Sequence, residues 1–265
     1  MNPAREAEDR RLFDRIAAAY GRKDLHPVSR PPRQAMLEIA LGPLLREGDT
    51  LGTVVDIGCG VGAPARILAG RYDRYLGIDH SEKMVAAARA FNAGNPAASF
   101  LAAGVREADP GGIAADLVLS IGALHHMPDL EAVVDRLKRL AKPGGRLVVI
   151  EPRRGNPLIW LLRRVRGLVD PAYSREQVFF SVRELRDLFA GRGLTDLEVE
   201  PIGFLSTPFA EVIFRPVFLF LPLSRLATAI DAWLTRRLPP WLGWLSFKVA
   251  VRARFPENQP AAKPD

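Results

Sequence analysis

Short apolar runs rich in valine, isoleucine and leucine alternate along the middle of the chain with segments whose apolar residues recur at helical spacing. Val54-Val-Asp-Ile-Gly-Cys-Gly-Val-Gly62 opens the series: an aliphatic run ends in an acid, then in three glycines at alternate positions. This predicts a buried strand feeding a tight turn, with a helix over Ala63 to Arg71 behind it. Arg74 to Asp79 reads as the next strand, and Ser81 to Ala90 as a helix with Ser81 as its N-cap. Ser99 to Gly104 is the third strand, and Ala115 to Gly122 a fully buried fourth. A helix over Leu130 to Ala141, a turn at Lys142-Pro-Gly-Gly145 and a strand over Arg146 to Pro152 follow. Ser181 to Arg192 predicts a helix, Asp196 to Phe204 strand six and Leu245 to Phe255 strand seven. Strands alternating with helices in this way predict a parallel sheet with right-handed crossovers.

The glycine turn carries the first chemistry. Without a Cβ, the backbone at Gly58, Gly60 and Gly62 can come close to a ligand, and the helix behind it offers unpaired N–H groups. Asp56 adds a carboxylate, which suits a ligand with positive charge and hydroxyls better than a pyrophosphate. Gly58, Gly60 and Ala63 also fit the dinucleotide fingerprint, and Asp79 stands where an acid holds ribose hydroxyls in either case. The glycines and Asp79 alone therefore do not separate the two ligands. Asp56 and the later motifs favour the first, and the Y-x-x-x-K proton relay of nicotinamide reductases is missing.

The order D-x-G-x-G-x-G resembles the first motif of the class I S-adenosylmethionine-dependent methyltransferases. D-L-V-L-S, L-H-H-M-P-D and K-P-G-G-x-L-V-V-I-E are similar to the later motifs of that family, in the usual order. Arg11 to Tyr20 resembles the N-terminal segment of its quinone C-methyltransferases. The resemblance covers residues 11–20 loosely and 53–153 closely. It implies a Rossmann-like, seven-stranded, mostly parallel α/β sheet with an antiparallel last strand and helices on both faces. It implies S-adenosyl-L-methionine as cofactor without a metal. Asp56, Gly58, Cys59, Gly60, Gly62, Asp79, His80, Gly104 and Val105 would lie around that donor, and Tyr20 would close over it. Cys59 reads as a small filler rather than a nucleophile, and Tyr20 equally as part of an amphipathic face with Leu12, Phe13 and Ile16. One position departs from the family: the third strand ordinarily ends in Gly-Asp, whose acid contacts adenine, and here the match is Gly104-Val105. Glu107 or Asp109 are the substitutes within reach.

Methyl transfer to a hydroxyl or acidic carbon needs a proton removed, for which a histidine is suited. His125 and His126 follow strand four, as catalytic bases or as residues that order backbone beside the donor; His26, beside Pro27, is a weaker candidate. Glu151 ends strand five and reads either as an acceptor ligand or as a partner of Arg153 or Arg154. No Cys/His cluster suggests zinc, and no acidic trio suggests magnesium.

At 265 residues, one large domain with additions is expected. Residues 1–50 form a helical segment over the site, 51–255 the main domain, and 256–265 a disordered tail. The N-terminus lacks the apolar core of a signal peptide, and a single cysteine excludes an internal disulfide framework and fits a reducing, cytoplasmic setting. Two helical insertions, 154–180 and 205–244, leave from carboxyl ends of strands and should overhang the active-site edge. Residues 151–175 hold six arginines against Glu151 and Asp170. Residues 215–254 hold six arginines and Lys248 against Asp231 alone, so these stretches outweigh the whole chain's formal +7. All four tryptophans lie in the same half: Trp160, Trp233, Trp241 and Trp244.

Pro157 to Val169, Pro216 to Leu223, the basic amphipathic candidate Arg225 to Leu238, and Pro239 to Phe247 mix arginine, tryptophan and aliphatics as an interfacial segment does. Arg215, Pro222 and Arg225 interrupt the best apolar run, so a bilayer span is not expected. The chain thus reads as a cytoplasmic-side methyltransferase for a hydrophobic, lipid-linked acceptor, peripheral on an anionic inner membrane face. An apolar lid on a soluble small-molecule O- or C-methyltransferase and a non-catalytic membrane-associated module are the alternatives. A nucleic-acid groove does not require the interleaved bulky aliphatics.

Overall fold

A computed structural model describes residues 3–42, 44–45, 50–108, 112–157, 164 and 179–257. Two helices precede the sheet, α1 (Pro3–Asp24) and α2 (Arg30–Leu41). Then come β1 (Thr53–Ile57), α3 (Ala63–Ile67), β2 (Arg74–Asp79), α4 (Glu82–Phe91), β3 (Ala98–Ala102) and β4 (Ala115–Ile121). A 3₁₀ turn at Leu124–His126 leads to α5 (Leu130–Leu140), β5 (Ala141–Pro152), α6 (Val182–Gly191) and β6 (Thr195–Ile202). The chain closes with α7 (Thr207–Glu211), α8 (Val217–Arg237), a second 3₁₀ turn (Pro240–Leu245) and β7 (Lys248–Arg254).

The seven strands lie in the order β3-β2-β1-β4-β5-β7-β6. The first five pair in parallel, and β7 runs antiparallel between β5 and β6. The alternation along β1 shows why the sheet is buried on both faces. Val55 and Ile57 join the cluster beneath α5 and α6, with Leu137 and Phe189. Val54 joins the opposite cluster, with Leu41 of α2, Tyr75 and Phe100.

Local signals set several boundaries. Ser81 Oγ accepts from Met84 N at the start of α4, and Ser181 and Glu184 close a reciprocal capping box on α6. Lys142-Pro-Gly-Gly145, expected to separate a helix from a strand, lies within β5. Ala141 pairs with Ala115 and Arg146 with Leu117, so the intervening residues bulge out of the ladder. The larger departure concerns the second insertion. Pro222 and Arg225, expected to interrupt the apolar run, sit inside the continuous helix α8, 21 residues long. By length and composition α8 is apolar enough to cross a membrane, although little of it is buried. Most of the first insertion, including Trp160 and Arg163, and residues 258–265 of the tail lie outside the described residues.

Candidate functional site

The carboxyl ends of β1, β2 and β4 meet at a cleft of about 860 Å³, part of it open to solvent. Gly58, Gly60, Asp79, His80, Gly104, Val105 and His126 line it from the sheet side, and α1 covers it with Asp9, Phe13 and Tyr20. Phe13 packs on His126 and His80, with ring centroids 5.0 and 5.7 Å apart. Tyr20 packs beside Phe13 and Ile16 and also lines the cleft.

The three glycines do different work. All have positive φ: Gly58 71°, Gly60 52° and Gly62 69°. A Cβ on Gly58 would stand 2.3 Å from Ala123 Cβ, and one on Gly62 would stand 2.8 Å from Asn92 and Phe100. Those two are small because the fold closes on them. A Cβ on Gly60 would meet only Tyr20, at 3.9 Å. Gly60 therefore leaves space that belongs to the cavity. Its N–H donates to Asp79 Oδ2 at 2.9 Å, and Ser81 N donates to Oδ1 at 2.9 Å, so the acid at the end of β2 is oriented by backbone. Burial nonetheless raises the Asp79 carboxyl above its ordinary range.

Asp56 is buried behind the turn, 1% exposed. Tyr75 donates its hydroxyl to Asp56 Oδ2, and Asp56 Oδ1 has no partner among the described residues. Burial drives its carboxyl up to about 7; Tyr75 opposes this and Asp79 adds to it. A second cavity of about 620 Å³ shares Tyr20, Gly58, Gly60 and Ile121 with the cleft and reaches Asp56, Asp24, Arg33 and Lys248. Its polar wall joins four elements. Arg33 of α2 pairs with Asp24 of α1 at 2.7 Å and donates to Ala210 O of α7, while Lys248 of β7 donates to Glu211 of α7 at 2.8 Å. Burial opposes ionisation of Glu211, but Lys248, Lys23 and Arg33 outweigh it and hold the carboxyl well below its usual range.

These features fit S-adenosylmethionine. The orphaned Asp56 oxygen would take the donor's ammonium, Asp79 its ribose hydroxyls, and Gly60 the close approach of its body. A pH dependence follows. Because the fold raises the Asp56 pKa, its neutral form contributes stability that is complete below about pH 4 and lost as pH rises through about 7. The ammonium favours the ionised form, so donor affinity should rise up to roughly tenfold between about pH 6 and pH 8. Calorimetric titration should show that rise flattened in Asp56→Asn. An unchanged slope in the variant would assign the dependence elsewhere.

The adenine end departs from expectation. Glu107 is exposed and off the cleft, and Asp109 lies outside the described residues. Asp9 and Arg106 are the cleft-lining charged side chains that sequence reasoning missed there. Asp9 stands in a stretch without a motif, and only the docking of α1 brings it in. Arg33 and Lys248 were missed for the same reason.

The two histidines separate. His126 lines the cleft. His125 is 7% exposed and turns inward, its Nδ1 2.7 Å from Glu151 Oε2, while Glu151 Oε1 accepts from Ala123 N and Leu124 N. Glu151 therefore pairs with neither arginine: Arg153 donates to Gly243 O, and Arg154 pairs with Glu184. It fixes the 3₁₀ turn that presents His126, whose ring centroid lies 4.1 Å from that of His125. His26 is away from both cavities and accepts from Val28 N. Cys59 is buried, and burial pushes its thiol well up, which suits a filler.

The family model described as a methyltransferase domain matches residues 55–149. Trans-aconitate 2-methyltransferase of Variovorax paradoxus is 33% identical over 140 residues, 52% of this chain and 50% of that protein. The 2-methyl-6-phytyl-1,4-hydroquinone methyltransferase of Synechocystis is 33% identical over 153 residues, 54% of this chain and 48% of that protein. The chain spans about half the length of these curated relatives. Magnesium protoporphyrin IX methyltransferase of Synechocystis, solved with S-adenosylhomocysteine bound, shares the fold. Its TM-score is 0.59 at 17% identity, over 94% of this chain and 99% of that one. With the motifs, the strand order and the cleft at the strand ends, these likenesses agree: residues 55–149 carry a methyltransferase domain of the class I S-adenosylmethionine-dependent kind.

Proposed function

We propose that the protein transfers a methyl group from S-adenosylmethionine to a hydrophobic acceptor whose nucleophilic atom reaches the cleft beside His126. The observation that carries this is the placement of His126 on the same cleft wall as Gly60 and Asp79, under the apolar roof of Phe13. When bound, the donor supplies an electrophilic methyl on a sulfonium, and transfer is an in-line displacement. The protein's part is alignment, exclusion of water by α1, and acceptance of the acceptor's proton. In this reading His126 takes that proton, and Glu151 and His125 act behind it as positioning residues. Relatives named as a 2-methyl-6-phytyl-1,4-hydroquinone methyltransferase and a ubiquinone biosynthesis O-methyltransferase support an acceptor with an apolar body.

A second reading, a small carboxylate-bearing acceptor, is favoured by Arg33 and Lys248 on the second cavity. Incubation of the purified protein with the donor and panels of quinols and small carboxylic acids, read by mass for an added methyl, separates the two. His126→Ala should then lower turnover on the productive acceptor by about 10²–10⁴-fold with donor affinity nearly unchanged. Near-full turnover in that variant would leave alignment as the whole of catalysis. No turnover on either panel, with donor bound, would favour a binding module.

A further inference from the structure

The pattern of α8 is reversed from that of a helix packed on a soluble core. Its two fully buried residues are polar, beside partly buried apolar ones such as Phe220, which packs on Phe214. Ser224, buried, donates to Val28 O, and Thr228 donates to Ser224 O one turn on. Asp231, 3% exposed, accepts from the backbone of Phe204, Leu205 and Ser206 and from the Ser206 hydroxyl. Ser224 and Asp231 are two turns apart on one face, so this stripe is bonded to the domain. The opposite stripe is apolar and open to solvent: Leu219, Leu226, Ile230 and Trp233 follow one another at helical spacing. Phe218 is 81% exposed, and Trp241, in the 3₁₀ turn that follows, is 72% exposed. A soluble surface rarely carries so continuous an apolar face.

The charges around this face are of one sign. Between residues 212 and 247 the ionisable side chains are Arg215, Arg225, Arg236, Arg237 and Asp231, and the acid is consumed inside. All four arginines are exposed, and none forms an ion pair among the described residues. Aliphatics that enter acyl chains, tryptophans at the boundary and unpaired cations are the chemistry of an anionic bilayer surface.

We propose that α8 and the 3₁₀ turn after it dock this protein in the plane of an anionic membrane. The helix does not cross the membrane, although it is long enough. Crossing would strip Asp231 of its donors and place a carboxylate in hydrocarbon, while lying flat keeps every inward bond. Docking also sets the donor fold on the bilayer, since Glu211 of α7, just before α8, ties Lys23 of α1 to Lys248 at the second cavity.

The test uses the full chain and preformed vesicles, either of phosphatidylcholine alone or mixed with phosphatidylglycerol. Wild-type protein should pellet with the anionic vesicles at low salt and return to the supernatant as salt rises. Arg225→Glu with Arg236→Glu and Arg237→Glu should weaken partitioning by roughly 100-fold or more. Leu226→Ser with Trp233→Ser should weaken it by at least about tenfold. Donor binding, which none of these residues touches, serves as the check that each variant is folded. Wild-type protein left in the supernatant at low salt overturns the proposal, as does equal pelleting with neutral vesicles. A salt-resistant pellet would mean that α8 spans. Concentration-dependent self-association without lipid, lost in Leu226→Ser with Trp233→Ser, would mean that the face joins two copies of this chain.

Discussion

Gly60→Val should remove donor binding from a protein whose sheet still forms. The residue sits at φ 52°, where an L side chain costs about 1–2 kcal/mol and a β-branched one more. The protein itself leaves room, because a Cβ there meets only Tyr20 at 3.9 Å. The valine methyls would instead occupy the space shared by the two cavities and disturb the N–H that orients Asp79. Donor affinity should fall by more than about 100-fold, since both a steric and a hydrogen-bonding condition of binding are lost. Thermal unfolding should shift by only a few degrees. Gly58→Val makes the contrast: its Cβ would collide with Ala123, so it should lose stability along with binding. Calorimetric titration beside a circular-dichroism melt separates the two variants. Wild-type affinity in a folded Gly60→Val protein would show that this turn does not hold the donor.

What could be read from the chain in advance was local. The glycine turn was legible because positive φ restricts the residue types, and its register followed from the aliphatic run before it. The Ser81 cap was legible because it is complete within one turn of helix. The mostly parallel sheet with its antiparallel last strand followed from the family resemblance, and its strand order came only with the structure.

What escaped depends on partners far away in sequence. Glu151 stands next to two arginines but bonds His125 and the backbone at residues 123–124, and nothing near position 151 signals that. Asp9, Arg33 and Lys248 reach the cavities only because helices fold back over the sheet. Pro222 reads as a breaker, yet it lies early in α8 and on the solvent side. Its ring and the missing N–H therefore disturb no packed face.

Asp231→Ala should cost more stability than any substitution on the outer face of α8. One carboxylate satisfies three backbone N–H groups, those of Phe204, Leu205 and Ser206, together with the Ser206 hydroxyl. Phe204 and Ser206 are themselves buried, so removal of the acid leaves donors that water reaches poorly. A buried charge-assisted network broken on one side costs about 3–5 kcal/mol, which corresponds to a fall in Tm of roughly 10 °C for a domain of this size. Asp231→Asn should fall between, because its amide retains one accepting oxygen and adds donors where donors already converge. The loss should begin locally: amide exchange should accelerate over residues 204–237 before it does in β1 or β4, whose residues are held by ladders on both sides. A melt shifted by less than about 2 °C would show that the helix is held by its other contacts, Ser224 on Val28 foremost.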